Sequence, residues 1–241
     1  MPESVTLNPT NEVSYDCVNN ANANMVTIDP GYADQSQIDY RLDGTGPIQQ
    51  SNIFTNLTPG NHTVTVRHTN GCTADTSFEI LAVAKLDITV VEEQGVWNTL
   101  IASAVGGGGN YEYSIDGVNF SSDTKFVIYK TGTYRITVRD KNGCTDFEDH
   151  YIEYVDVCIP NYFTPAGQNN TWAPGCTNIY TNLVFSIFDR YGREIAKYHY
   201  GQSWDGRYNG EELPSGDYWY VLKLNDEKDA REFVGHFTLY R

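Results

Sequence analysis

Apolar and polar residues alternate one by one through much of the chain. His62-Thr-Val-Thr-Val-Arg67 and Tyr134-Arg-Ile-Thr-Val-Arg139 place Val64 and Val66, and Ile136 and Val138, on one face of an extended segment. That period of two is the mark of a half-buried strand. Asn70-Gly71 and Asn142-Gly143 follow these segments and predict two-residue hairpin turns of type I′, in which both central residues take positive φ. Asp43-Gly44 and Asp116-Gly117 are similar turn signals, and Gly60 and Gly132 stand where the chain must turn a corner before a strand. No segment carries a 3.6-residue apolar period, so the expected fold class is all-β.

The strands recur. Ile38-Asp-Tyr-Arg-Leu-Asp-Gly44 answers Tyr111-Glu-Tyr-Ser-Ile-Asp-Gly117 at an offset of 73. Phe54, Gly60, Val64–Arg67 and Asn70-Gly71-Cys72 answer Phe126, Gly132, Ile136–Arg139 and Asn142-Gly143-Cys144 at an offset of 72. One insertion between two copies accounts for the slip. Short strands at this spacing predict an immunoglobulin-like sandwich of roughly 75 residues per copy.

After Asp156 the texture changes. Pro160 and Pro165 interrupt Ile159–Pro165, since each removes a backbone donor. Asn182–Phe188, Arg193–Tyr198, the aromatic Asp217–Leu224 and Phe233–Tyr240 read as strands, joined by turns at Asp189–Gly192, Asp205–Gly210, Leu213–Gly216 and Asn225–Asp229. The expectation is tandem immunoglobulin-like modules over 1–82 and 83–156, then a seven-strand sandwich over 157–241 that ends in a strand.

Charge supports this partition. The 241 residues carry a formal net charge of −15, divided as −7, −6 and −2 over the three expected modules. Such acidity argues against nucleic acid as a partner, because phosphate contacts need clustered Lys and Arg. At 40% hydrophobic and 13% aromatic, the chain is too apolar to be disordered. Met1–Thr6 has neither the basic region nor the apolar run of a signal peptide. The chain is therefore expected to be cytosolic or a piece of a longer protein.

The five cysteines decide for the second reading. They show no Cys-x-x-Cys pair and no His at zinc-ligand spacing, and occur once or twice per module, as in exported disulfide-bonded domains. Cys17 on an early strand and Cys72 at the end of a late one suggest a bridge between the sheets of the first copy. Cys158 and Cys176 flank a loop rich in Pro, Asn and Gly and are expected to pair. The second copy has Thr89 where Cys17 would fall, which leaves Cys144 unpaired or bonded outside this chain.

Phe163-Thr-Pro165, Ile187-Phe-Asp-Arg-Tyr-Gly192, Trp204-Asp-Gly206 with Asn209-Gly210, Leu213-Pro214 with Gly216, Tyr218-Trp219, and Gly235-His-Phe-Thr-Leu-Tyr-Arg241 stand in one order. In these residues the chain resembles the type B C-terminal sorting domain, the gliding motility-associated C-terminal domain of type IX secretion cargo in Bacteroidota. The two upstream copies are similar to the repeats of the gliding adhesin SprB. The resemblance implies the C-terminal fragment of a SprB-like cell-surface adhesin, exported through the periplasm and outer membrane. Its implied partners are the type IX machinery and an outer-membrane protein of the PorP/SprF type. The family commonly carries an acidic run after Thr-Pro, whereas this chain has Ala166-Gly-Gln-Asn-Asn-Thr-Trp172. No metal and no cofactor are expected there.

A terminal strand can serve as an address through its backbone and through alternating side chains. In Gly235–Arg241, Phe237 and Leu239 would share one face, with His236, Thr238 and Tyr240 on the other. The candidate contact residues are Trp204, Asp205, Tyr218, Trp219, Gly235, His236, Tyr240 and Arg241. Trp204 and Asp205 also fit a core aromatic and a turn-capping carboxylate. Tyr218 and Trp219 point to opposite faces, so one belongs to the core.

No nucleophile elbow, Walker loop or His-Glu-x-x-His is present, and Gly106–Gly109 lacks the Lys-Ser/Thr and helix of a phosphate cradle. The chain is expected not to be an enzyme. The rival reading is a set of carbohydrate-binding modules that use exposed Tyr and Trp against surface polysaccharide, on a secreted protein with the same sorting domain.

Overall fold

The computed structural model describes residues 5–167 and 170–241. Among them lie twenty strands and one 3-10 turn, Gln35–Gln37, so the protein is all-β. The chain forms two compact units: Met1–Thr89 with Ala102–Thr124 and Arg135–Glu148, and Val90–Ile101 with Lys125–Tyr134 and Asp149–Arg241.

The first copy of the repeat supplies β1 (Thr10–Val18), β2 (Ala21–Asp29), β3 (Ile38–Leu42), β4 (Ile48–Gln49), β5 (Ile53–Thr55), β6 (Gly60–His68) and β7 (Thr73–Ile80). They form two sheets, in the orders β1-β2-β5 and β4-β3-β6-β7. The second copy supplies β8 (Asp87–Glu92), β9 (Thr99–Val105), β10 (Glu112–Ser114), β11 (Lys125–Val127), β12 (Gly132–Arg139) and β13 (Thr145–Ile152). Its sheets are β8-β9-β11 and β10-β12-β13. The first copy thus places its first, second and fifth strands in one sheet and the rest in the other, and the second copy, with no counterpart of β4 among its strands, divides its six in the same way, first, second and fourth against third, fifth and sixth, the immunoglobulin-like arrangement. The alternation explains the core. Val64, Val66, Ile136 and Val138 are fully buried, each stabilising by about 1.5–3 kcal/mol.

The hairpins differ in detail from expectation. Of Asn70-Gly71 and Asn142-Gly143 only the glycines have positive φ, at 97° and 88°. His68 N–H donates to Cys72 O, and Gly71 N–H to His68 O, which makes a three-residue loop with a glycine bulge. The Asn70 side chain accepts from Cys72 N–H and holds the asparagine out of the left-handed region. The two-residue type I′ geometry appears instead between β1 and β2, where Asn19 and Asn20 both have positive φ and Val18 faces Ala21.

The expected Cys17–Cys72 bridge is not formed. Cys17 bonds to Cys144, 127 residues away, and Cys72 is a free thiol. The cause lies in the β1–β2 hairpin, which stays paired to its tip, with Cys17 opposite Asn22. That puts Cys17 at the hairpin end, beside the Asn142–Thr145 turn. There Asn20 accepts from Thr145 N–H and donates to Thr145 O, at 2.8 and 2.9 Å. Cys158 and Cys176 pair as expected.

The last third contributes β14 (Tyr162–Phe163), β15 (Val184–Phe188), β16 (Glu194–His199), β17 (Arg207–Tyr208), β18 (Glu211–Glu212), β19 (Gly216–Lys223) and β20 (Glu232–Leu239). Five of these form one sheet, β14-β20-β19-β15-β16, and β17 and β18 a short ladder. β14 is confined to two residues between Pro160 and Pro165 and runs parallel to β20. Within the Ala166–Trp172 run, Gln168 and Asn169 lie outside the described residues. Among the described residues no group of three or more His, Cys, Asp or Glu is placed to hold a metal ion.

Candidate recognition surface

The surface is best understood from its underside. Phe237 and Leu239 of β20 point inward and are fully buried. The Phe237 ring stacks on Trp172, with centroids 4.1 Å apart and planes 15° from parallel, and meets Trp204 edge-on at 5.8 Å. Trp204 also packs against Phe163 and Tyr218, at 5.5 and 5.1 Å. Its indole N–H donates to Arg207 O, and the Trp172 indole N–H to Pro160 O, so neither buried donor is left unpaired. Tyr218 is 5% exposed and donates its hydroxyl proton to Pro214 O. Burial pushes the Tyr218 phenol up. Of the candidate contact residues, Trp204 and Tyr218 are thus core groups that fix the sheet from inside.

The outer face of the same strands is different. β19 and β20 pair so that Trp219 lies opposite His236 and Val221 opposite Val234. Trp219 is 40% exposed, with its ring centroid 6.3 Å from that of the exposed His236, and Val234 is 71% exposed. Tyr162 and Tyr240 add two half-exposed rings that meet edge-to-face at 6.1 Å. Thr238 donates to the Asp217 carboxylate between them. Three aromatic rings, an imidazole and a valine therefore share the outer face of a hydrogen-bonded sheet. Aromatic rings in such a setting give large contact area at low conformational cost.

Gly235 shapes this platform from below. A Cβ there would lie 2.6 Å from the Tyr220 hydroxyl and 2.9 Å from Cζ, so the Tyr220 ring occupies the space a side chain would need. The glycine lets an inward tyrosine cross the strand, and its own role is close approach.

Asp205 and Arg241 belong to a neighbouring loop cluster. Asp205 is exposed and caps its turn by accepting from Arg207 N–H at 3.1 Å. Arg241 donates to Leu213 O and Gly206 O, at 2.7 and 2.9 Å, and pairs with Glu212. Its backbone N–H donates to the Ser215 hydroxyl. Arg241 therefore ties β20 to the Trp204–Gly216 loops. The end of β20 is also paired on both sides, since β14 covers Thr238 and Leu239 while β19 runs along the whole strand. On β20 itself, the backbone edge groups that a partner strand could use are thus confined to Glu232–Phe237. The side-chain face is the larger offering.

Two features escape sequence reasoning. Tyr162 joins the outer face only because β14 docks beside β20, a parallel pairing with no local signal. Arg231 is the second. It forms paired hydrogen bonds to Asp156 (2.9 Å each) and reaches Asp229 at 2.7 Å, and Tyr180 donates to Asp229 at 2.8 Å. The guanidinium holds both carboxyls below the usual range, and burial pushes the Tyr180 phenol up. No sequence motif marks this cluster.

No curated protein matches the chain. Among solved structures, the three N-terminal domains of the Highly Immunogenic Outer Capsid protein (Hoc) of bacteriophage RB49 are similar at 14% identity and TM-score 0.42, over 97% of this chain and 98% of that one. The C-terminal fragment of intimin, solved with the intimin-binding domain of its translocated receptor, is similar at 14% identity and TM-score 0.36, over 65% and 67%. PorZ, a surface component of the type-IX secretion system of Porphyromonas gingivalis, is similar at 12% identity and TM-score 0.29, over 95% and 39%. Residues 157–239, which contain the whole outer face except Tyr240, match the family model of the CHU_C Type IX secretion signal domain. Residues 157–239 thus match a type IX secretion signal domain, which indicates a protein secreted by that system to the cell surface or the extracellular space.

Proposed function

We propose that this chain is the C-terminal part of a surface adhesin of a gliding bacterium, in which the two acidic repeats act as stalk or adhesive modules. The last domain engages an outer-membrane partner of the PorP/SprF type through the outer face of β19 and β20. The role is binding and display, without catalysis. The observation that carries this reading is the separation of duties in β20. Its inward residues complete an aromatic core, while Trp219, Val234, His236, Tyr162 and Tyr240 stand together on the other side of the same sheet. An exposed apolar row on a rigid support needs a reason, and recognition of a folded cargo supplies one.

The test is export of the full protein with substitutions confined to that face. Trp219→Ser with Tyr240→Ser is expected to leave folding intact and to retain the cargo inside the cell. Undiminished surface display of the double variant would move the recognition site elsewhere. Substitution is preferable to deletion of β20, which would also uncover Trp172 and Trp204 and unfold the domain. Binding of a defined saccharide by the purified repeats would favour the carbohydrate-binding reading of those modules.

A further inference from the structure

The two copies of the repeat carry an identical tetrapeptide, Asn70-Gly-Cys-Thr73 and Asn142-Gly-Cys-Thr145. Both fold into the same turn. His68 N–H donates to Cys72 O as Asp140 N–H donates to Cys144 O, both at 2.9 Å, and Gly71 and Gly143 share positive φ. Among the described residues only the second is joined by a disulfide to a hairpin tip. The β1–β2 tip sits on it through the Cys17–Cys144 bond, the two Asn20–Thr145 hydrogen bonds, and a contact from Asn142 Nδ2 to Asn22 Oδ1 at 3.4 Å. Under that cover Cys144 is 3% exposed, whereas Cys72 is a partly exposed thiol and Thr73 is exposed.

The plug is as informative as the socket. The first copy carries it as Cys17-Val-Asn-Asn20, at the tip of a two-residue hairpin. The second copy has Thr89 at the matching position and no cysteine between Thr73 and Gly143. The domain that follows the second copy has no Asn-Gly-Cys-Thr turn to receive such a plug. Plug and socket are thus present or absent together along the chain, except at Cys72.

We propose that Cys72 is the socket for a further repeat of the same kind, whose β-hairpin tip carries Cys-x-x-Asn. That tip bonds to Cys72 and Thr73 as Cys17 and Asn20 bond to Cys144 and Thr145. The repeats are then a covalently stapled array, each disulfide joining one repeat to the next in place of closing a single sandwich. The bond forms by thiol–disulfide exchange. A thiolate of one cysteine attacks a disulfide oxidant such as oxidised glutathione, forming a mixed disulfide and releasing one glutathione thiolate. The second cysteine displaces the other glutathione, so two protein thiols are oxidised and one oxidant disulfide is reduced to two thiols.

The test lengthens the chain by a tandem copy of residues 11–82. This sets the added plug cysteine 127 residues before Cys72, the separation of Cys17 from Cys144. After refolding with oxidised glutathione, non-reducing peptide mapping is expected to link the added plug cysteine to Cys72. One free thiol per chain should remain, in the added socket, beside intact Cys17–Cys144 and Cys158–Cys176 bonds. Three free thiols, or a bridge closed within the added copy, would overturn the proposal. A second variant covers misfolding of the longer chain. Cys144→Ser in the original chain frees Cys17, and disulfide-linked oligomers joining Cys17 of one molecule to Cys72 of another are expected, lost on adding Cys72→Ser. If the longer chain misfolds and the Cys144→Ser protein stays monomeric, the proposal fails.

Discussion

Phe237→Ala is the substitution that tests the two-faced reading of β20 most sharply. The ring is fully buried, stacks on Trp172 at 4.1 Å and touches the Trp204, Phe163 and Tyr218 rings at centroid distances of 5.8–6.3 Å. Truncating a buried phenylalanine costs about 3–5 kcal/mol, and the loss of stacked aromatic partners puts this site near the upper end. Three of the four tryptophans, Trp172, Trp204 and Trp219, lie in this domain, so tryptophan emission during urea unfolding reports mainly on it. With a slope of about 1.5 kcal/mol per molar, the midpoint should fall by roughly 2–3 M. His236→Ser, one residue away on the outer face, should change stability by no more than about 0.5 kcal/mol. A Phe237→Ala midpoint within about 0.5 M of the parent, or equal losses for both variants, would refute the assignment of faces.

Other outcomes follow from the same structure. Cys158 and Cys176 close an 18-residue loop, so replacing both with serine should cost about 3 kcal/mol, read as a lower unfolding temperature of the parent-like domain. The Cys17–Cys144 bond closes a far longer loop, and its loss should cost about 5 kcal/mol on the same scale, visible as a larger effect of reductant on the repeat transition. Asp156 and Asp229 have carboxyls depressed below 3.8 by Arg231. A depressed carboxyl stabilises above its unfolded value, and that gain is lost as pH falls through the folded value. Arg231→Leu should therefore cost about 1–2 kcal/mol at pH 7, with variant and parent converging as the pH falls through the depressed carboxyl values in acid titrations followed by circular dichroism.

Much of this fold is legible in the sequence because burial in a sheet has a period of two. Val64, Val66, Ile136 and Val138 announce their face through their own neighbours, and the outer position of His236 and Tyr240 follows from the inner one of Phe237. What escaped the sequence depends on partners far along the chain. Cys17 has a plausible mate at Cys72, yet a hairpin that stays paired to its tip delivers it to Cys144. Asn70-Gly71 has the composition of a type I′ turn, but the asparagine side chain bonds the backbone locally and selects the longer loop. Tyr162 reaches the outer face only through a parallel pairing across 76 residues, Tyr162 with Thr238. Arg241, which looks like an exposed terminal cation, spends its donors on Leu213, Gly206 and Glu212.

On the proposed reading, the address lies in the near-neutral last third and is carried by its outer face. Residues 157–241 fused to a foreign periplasmic protein with its own signal peptide, and expressed in a cell with an intact type IX system, test it directly. The fusion is expected to appear at the cell surface or in the medium, and Trp219→Ser with Tyr240→Ser in the fused domain to leave it in the periplasm. A fusion that stays periplasmic, or a double variant exported as well as its parent, would place the address elsewhere.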